Sequence, residues 1–202
     1  MNERDYVNEL ARQIKYKFKR VWTHSKPSAS KPFCSRLEQK LGYLPILQPE
    51  IDICFLDNVG VLNAIEVKLF RSNQASFRLP FYEGLGQGLA LHRYGFDHVG
   101  VWFIFESEVF SQEIEQYGAA AWYFLRNQLK LPLDFTYFRV EQSMKSFTFH
   151  TLQYESDRSG RELLPISHPR FEIHWRQKNP IKGELVPRTI RMELEKWLQA
   201  KD

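Results

Sequence analysis

The sequence predicts an α/β protein: helices flanking a central mixed β-sheet, with a further α+β stretch in its C-terminal part. Three observations lead there. Apolar residues recur every four positions near the N-terminus, the spacing of a helix with one buried face. Runs rich in β-branched and aromatic residues follow, and one of them, His98–Phe105, is almost wholly apolar, as expected of a strand buried on both faces. The segments also succeed one another as helix, strands, helix, strand, helix, strands, an order that lays helical layers on a sheet.

In chain order, residues 4–22 read as a helix, with Tyr6, Leu10, Ile14 and Phe18 on one stripe and Val7, Ala11 and Val21 widening it. Ser25–Pro32 is a basic loop by composition, and Phe33–Leu41 a second helix stopped by Gly42. Ile51–Leu56 and Val61–Leu69 read as strands joined by a turn at Asp57–Gly60. Pro80–Tyr94 is expected to be a helix closed by Gly95, ahead of the His98–Phe105 strand. Phe110–Leu131 reads as a helix, Phe135–Val140 and Phe147–Tyr154 as alternating strands and Phe171–Trp175 as another. Pro187–Ala200 is a terminal helix with proline at its start.

The longest apolar runs, Gly118–Leu125 and Val99–Phe105, are too short to span a bilayer, so no membrane partner is expected. The first residues lack the apolar core of a secretory signal, and two cysteines, Cys34 and Cys54, make no disulfide framework. A reducing cytoplasm is the expected location. The formal charge of +4 is uneven: residues 1–48 carry +6, 49–110 carry −4, 111–165 carry −1 and 166–202 carry +3. An acidic centre suits a divalent metal and basic flanks suit phosphate. The same distribution also fits a solvated basic helix followed by an exposed loop.

The informative stretch is Glu50-Ile-Asp52, the turn, then Glu66-Val67-Lys68. Alternation places Glu50 and Asp52 on one face of their strand and Glu66 and Lys68 on one face of the next. A three-residue loop, Asn58-Val59-Gly60 with left-handed Gly60, pairs residues whose numbers sum to 118. Asp52 then faces Glu66, and Glu50 faces Lys68. A two-residue loop would instead split Asp52 and Glu66 between the faces. In the first register the acids repel unless a cation joins them, and Mg²⁺ or Mn²⁺ would accept such carboxylates together with water. Taken alone, the residues also read as a solvent-facing row of mixed charges with a minor Glu50–Lys68 salt bridge.

This arrangement resembles the signature of the PD-(D/E)XK nuclease superfamily, whose fold is restriction-endonuclease-like: an acid on one strand, a hairpin, then Glu/Asp-x-Lys on the next. The Pro-Asp dipeptide is absent, since Glu50-Ile51 separates Pro49 from Asp52, which leaves Glu50 as a substitute ligand. Tyr82–Tyr94, with Gln87, resembles the following helix of that family, and His98–Phe105 the buried strand after it. The resemblance covers roughly residues 33–105. It implies a three-layer core with a central mixed sheet and a C-terminal α+β extension, in a single domain 1–202. Within that domain, 1–32 form a basic helix and loop, 33–105 the nuclease core and 106–202 the extension.

The function implied is metal-dependent hydrolysis of DNA phosphodiesters, similar to RecB-type nuclease or Holliday-junction-resolvase-like domains. The alternative implied is an inactive DNA-binding or assembly module on the same scaffold. Asp52, Glu66 and the Val67 carbonyl would hold the metal, Lys68 would orient water and stabilise charge, and Gln87 would steady either. An additional acid from the first core helix would be Glu38 or Glu9. DNA contacts would come from Lys15, Lys19, Arg20, Lys26, Lys31 and Tyr82, with Trp22 and His24 beside the basic loop. Family members often dimerise, so a homodimer is also implied.

Other patterns carry less. The six histidines show no ligand spacing, so no zinc site is expected. Gly84-Leu-Gly-Gln-Gly88 lacks the Lys-Ser/Thr of a phosphate loop and reads as close packing of a helix on the sheet, or room for DNA beside Gln87. Phe135, Tyr137, Phe147 and Phe149 alternate along strands and read as core.

Overall fold

The computed structural model of the chain describes residues 2–45, 48–71, 78–107, 123–143, 146–154, 161–169, 171, 173, 175 and 177–201. Helix α1 (Glu3–Ile14) starts at a capping box in which the Asn2 side chain accepts from the Asp5 amide and the Asp5 carboxylate from that of Asn2. It ends eight residues before the expected Trp22 boundary. Lys15–Lys17 form a 3₁₀ turn, and Arg20–Ser25 are strand β1. Two features explain the difference. The β-branched and aromatic run Val21-Trp22-Thr23 fits a pleated strand, and it gains a ladder by pairing antiparallel with β2 (Ile51–Leu56). Phe18 still reaches the core, stacking on Phe55 with ring centroids 4.0 Å apart, so an extended chain reproduces the helical spacing.

The basic loop is more ordered than its composition suggests. Pro27–Ala29 make a 3₁₀ turn, and Ser30 caps helix α2 (Lys31–Leu41), which ends at Gly42. The hairpin follows the three-residue register. Gly60 has φ of 88°, Asp57 and Val61 are joined by a backbone bond, and Ile53 faces Ile65 and Cys54 faces Ala64 across β2 and β3 (Leu62–Phe70). The Asp57 carboxylate accepts from the Val59 and Val61 amides, holding the turn shut.

Helix α3 (Arg78–Leu91), continued by a 3₁₀ turn to Tyr94, crosses over to β4 (His98–Glu106), which lies parallel to β3. Strand β5 (Asp134–Gln142) is parallel to β4, and β6 (Phe147–Tyr154) and β7 (Arg161–Pro165) continue antiparallel. The seven strands therefore stand in sequence order in one mixed sheet. Most of the helix expected over Phe110–Leu131 lies outside the described residues; its described end is a π-helical turn at Phe124–Gln128. Strand β7 was not expected. Conversely, Phe171, Ile173 and Trp175 are not in a strand: alternation there reflects packing, with Phe171 buried and Ile173 and Trp175 lying against the same core. Helix α4 (Leu185–Gln199) carries Pro187 in its first turn.

The sheet separates two cores. Helix α1 buries Tyr6, Val7, Leu10, Ala11 and Ile14 against one face, on Ile53, Phe55, Ile65, Val67, Trp102 and Ile104. On the other face, α2, α3 and α4 bring Phe33, Leu37, Leu85, Ile190 and Leu194 onto Cys54, Ala64, Val101 and Phe103. Phe149 is fully buried while Phe135, Tyr137 and Phe147 pack at the margins of the cores. Each wholly buried aliphatic or aromatic side chain contributes about 1.5–3 kcal/mol, so these layers dominate the fold's stability. Glu193, at 0% exposure, ties α4 to α2 through Arg36 and Lys40, both at 2.6 Å, and also meets Lys196. No described helix is long and apolar enough to cross a membrane.

Candidate active site on the second and third strands

Ala64 and Phe70 belong to the core beneath α2–α4, so alternation puts Glu66 and Lys68 on that face of β3 as well. Continuing the observed pairing by one residue brings Asp52 opposite Glu66. Asp52 Oδ2 accepts from the Val67 amide at 2.8 Å, and Lys68 Nζ donates to Glu66 Oε1 at 2.5 Å. Glu66 is 2% exposed and Lys68 9%, so two charged groups sit where water is scarce.

That burial sets their protonation. Burial pushes the Asp52 carboxyl up to about 6, against the pull of the Val67 amide and Lys68. Glu66 rises further, to about 8, driven by burial and then by the neighbouring Asp52, with Lys68 opposing. Burial pulls the Lys68 ammonium down, but the field of Glu66 and its hydrogen bond outweigh this and hold lysine above its ordinary value.

A third carboxylate joins from α1. Glu3 Oε2 accepts from the Leu69 amide at 3.0 Å, and its charge acts on Asp52, Glu66 and Lys68. The sequence reading missed it by starting the helix at residue 4. The local signal was present: Asn2 and Asp5 make a capping box, which puts Glu3 in the first turn of α1. Neither of the acids expected from a helix fills this place. Glu9 is bound to Arg12 and Gln13, and Glu38 is exposed on α2.

Glu50 does not meet Lys68. It precedes β2, outside the ladder, and its carboxylate lies 2.7 Å from Lys26 and 3.6 Å from Arg4, while Lys68 takes the nearer acid two residues away on its own face. Gln87 is exposed on α3, as is Tyr82, and no hydrogen bond joins Gln87 to Lys68. Gly84 and Gly88 take the sheet-facing side instead, with Gly84 against the Lys68 stem. The expected basic helix is divided. Lys15 sits in the 3₁₀ turn, Lys19 just before β1 and Arg20 at its start, while Lys26 and Lys31 are exposed beyond its end. Trp22 and His24 are half-buried on β1.

The donor set suits a hard divalent cation. Asp52 Oδ1 and Glu66 Oε2 accept no hydrogen bond among the described residues, so each carboxylate keeps an oxygen to offer. Repulsion between two buried acids is the condition a cation relieves. Among the described residues no three acidic, imidazole or thiol groups form a complete cage. Mg²⁺ accepts a partial set, taking one or two carboxylates and completing its shell with water. No known protein-family model and no curated protein sequence matches the chain.

Proposed function

We propose that this chain is a metal-dependent nuclease hydrolysing phosphodiester bonds of DNA, with a site resembling that of the PD-(D/E)XK superfamily. The observation that carries the reading is the convergence of Asp52, Glu66 and Lys68 on adjacent strands, in the one hairpin register that can bring them together. The order of elements supports it: hairpin, helix, then a buried strand parallel to the one bearing Glu66 and Lys68. Asp52, Glu66 and the Val67 carbonyl would hold Mg²⁺ or Mn²⁺. Such an ion supplies a Lewis acid and an acidified water.

The chain's own groups do the rest. Glu66 keeps Lys68 protonated and fixed, and a buried ammonium is a strong stabiliser of charge growing on phosphate. Asp52, tied to the Val67 amide through Oδ2, keeps Oδ1 to offer. Tyr82 and Gln87, exposed on α3, are assigned to the DNA strand.

The second reading is a DNA-binding module that keeps the scaffold without catalysis. It is favoured by the Lys68–Glu66 bond, which already engages one of the two acids. Cleavage of labelled linear, single-stranded and branched DNA with Mg²⁺ or Mn²⁺ separates the two. The nuclease reading expects cleavage by the wild type and its loss in Asp52→Ala, Glu66→Ala and Lys68→Ala. Equal cleavage by wild type and variants would remove the site assignment. Salt-sensitive DNA binding without divalent-metal binding or cleavage would favour the second reading.

A further inference from the structure

Beside the carboxylates lies a second charged group that the proposed chemistry does not use. Glu50 is a single acid shared by two cations from different elements, Arg4 of α1 and Lys26 after β1. Its side chain is 31% exposed, against 62% for Arg4 and 51% for Lys26, so the cations stand outermost. The group carries one surplus positive charge two residues from Asp52.

The backbone there is distorted as well. His24 has φ of 44°, a left-handed conformation that costs a non-glycine residue roughly 1–2 kcal/mol. The β1–β2 pairing is regular from Arg20 to Thr23 and resumes at Ser25, and the residue left out, His24, is the one that this register would place opposite Asp52. The His24 Nε2 is buried without a hydrogen-bond partner among the described residues, while the ring meets the Arg4 backbone and the charges acting on it are those of Arg4, Glu50 and Lys26. An irregular strand, an orphaned ring nitrogen and a surplus of cations thus coincide beside the site.

We infer that Arg4 and Lys26 form a phosphate clamp for the nucleic-acid backbone next to the reacting phosphodiester, with Glu50 as their resting counter-ion. A backbone phosphate entering between the cations displaces Glu50, which at rest keeps Arg4 and Lys26 in place. Two exposed cations converging on one acid are geometrically able to converge on one phosphate, since arginine and lysine both bind phosphate oxygens through charge-assisted bonds. Nucleic acid, rather than free phosphate, is favoured by the exposure of both cations, which leaves them open to an extended polyanion, and by a further exposed lysine, Lys31, five residues beyond Lys26 in the chain. The inference rests on the nuclease reading for what lies beside the clamp, yet it is tested by binding alone.

The experiment is fluorescence anisotropy of a labelled DNA duplex with Ca²⁺ in place of Mg²⁺, across a salt series, with inorganic phosphate as competitor. Glu50→Gln, which removes the competing anion, is expected to tighten binding by about three- to tenfold. Arg4→Ala with Lys26→Ala is expected to weaken it and to flatten the salt dependence by one to two phosphate contacts, each contributing a slope of about 0.9 on logarithmic axes. Inhibition only by millimolar phosphate, with DNA ignored, would overturn the nucleic-acid assignment. Binding by Glu50→Gln and by the double variant within twofold of wild type would overturn the clamp. Clamp-dependent binding without metal-dependent cleavage would leave the clamp standing and remove the nuclease reading.

Discussion

Helix α3 offers a prediction whose sign changes from one glycine to another. Adding a methyl group at Gly86 meets nothing within 4 Å, so only helix propensity acts, and Gly86→Ala should stabilise by about 0.5–1 kcal/mol. At Gly88 the same methyl would sit 2.8 Å from Val101 Cγ2 and 3.3 Å from Leu133 Cδ2. Val101 is β-branched and stiff and belongs to a buried central strand, so it cannot swing aside. Overpacking of this kind costs about 1–3 kcal/mol, which outweighs the propensity gain and leaves a net loss of about 0.5–2 kcal/mol. Urea unfolding followed by tryptophan fluorescence reads the difference. With a slope of about 2 kcal/mol per molar, the two midpoints should separate by about 0.5–1.5 M, Gly86→Ala above wild type and Gly88→Ala below. Midpoints moving in the same direction by the same amount would refute the close approach of α3 to β4.

Three further outcomes are expected. Gly84→Ala places a methyl 3.0 Å from Lys68 Cγ, with Phe103 and Val101 at 3.3 Å, and should lower cleavage more than it lowers the unfolding midpoint; cleavage assays beside urea melts check this. Burial pushes the Glu193 carboxyl up, but hydrogen bonds from Lys40, Arg36 and Lys196 prevail and hold it at about 2, below its ordinary 4.5. Its contribution to stability is therefore complete above pH 4.5 and lost as pH falls toward 2, and Glu193→Gln, costing about 1–3 kcal/mol at neutral pH, should flatten that part of the pH–stability curve. Asp57→Ala removes the acceptor for the Val59 and Val61 amides and should destabilise by about 1 kcal/mol in thermal unfolding.

What the sequence disclosed depended on whether the cause was local. The hairpin register was legible because Asp57 and Gly60 decide it within the turn, and the placement of Asp52, Glu66 and Lys68 followed by alternation. The end of α1 was less legible, because Phe18 continues the helical spacing from an extended chain, and the run Val21-Trp22-Thr23, though suited to a strand, gains its ladder only by pairing with the edge of β2. Alternation at Phe171, Ile173 and Trp175 likewise reported burial without sheet pairing. The capping box marks Glu3 as the first turn of α1, but what Glu3 and Glu50 meet depends on how α1 and the end of β1 dock beside β2 and β3, a relation between distant segments that spacing does not encode. The Gly84–Gly88 segment left close packing on the sheet and room for DNA beside Gln87 both open; Gly84 and Gly88 approach Lys68, Val101 and Leu133 closely, whereas a Cβ at Gly86 would meet nothing within 4 Å.

The central claim is that Asp52 and Glu66 hold a divalent cation beside Lys68, and Mn²⁺ locates it most directly. Crystals of the protein soaked in Mn²⁺ and measured for anomalous scattering should give a peak bounded by Asp52, Glu66 and the Val67 carbonyl, absent from Asp52→Asn crystals soaked alike. A peak only elsewhere, or none at these carboxylates with the metal in excess, would contradict the account.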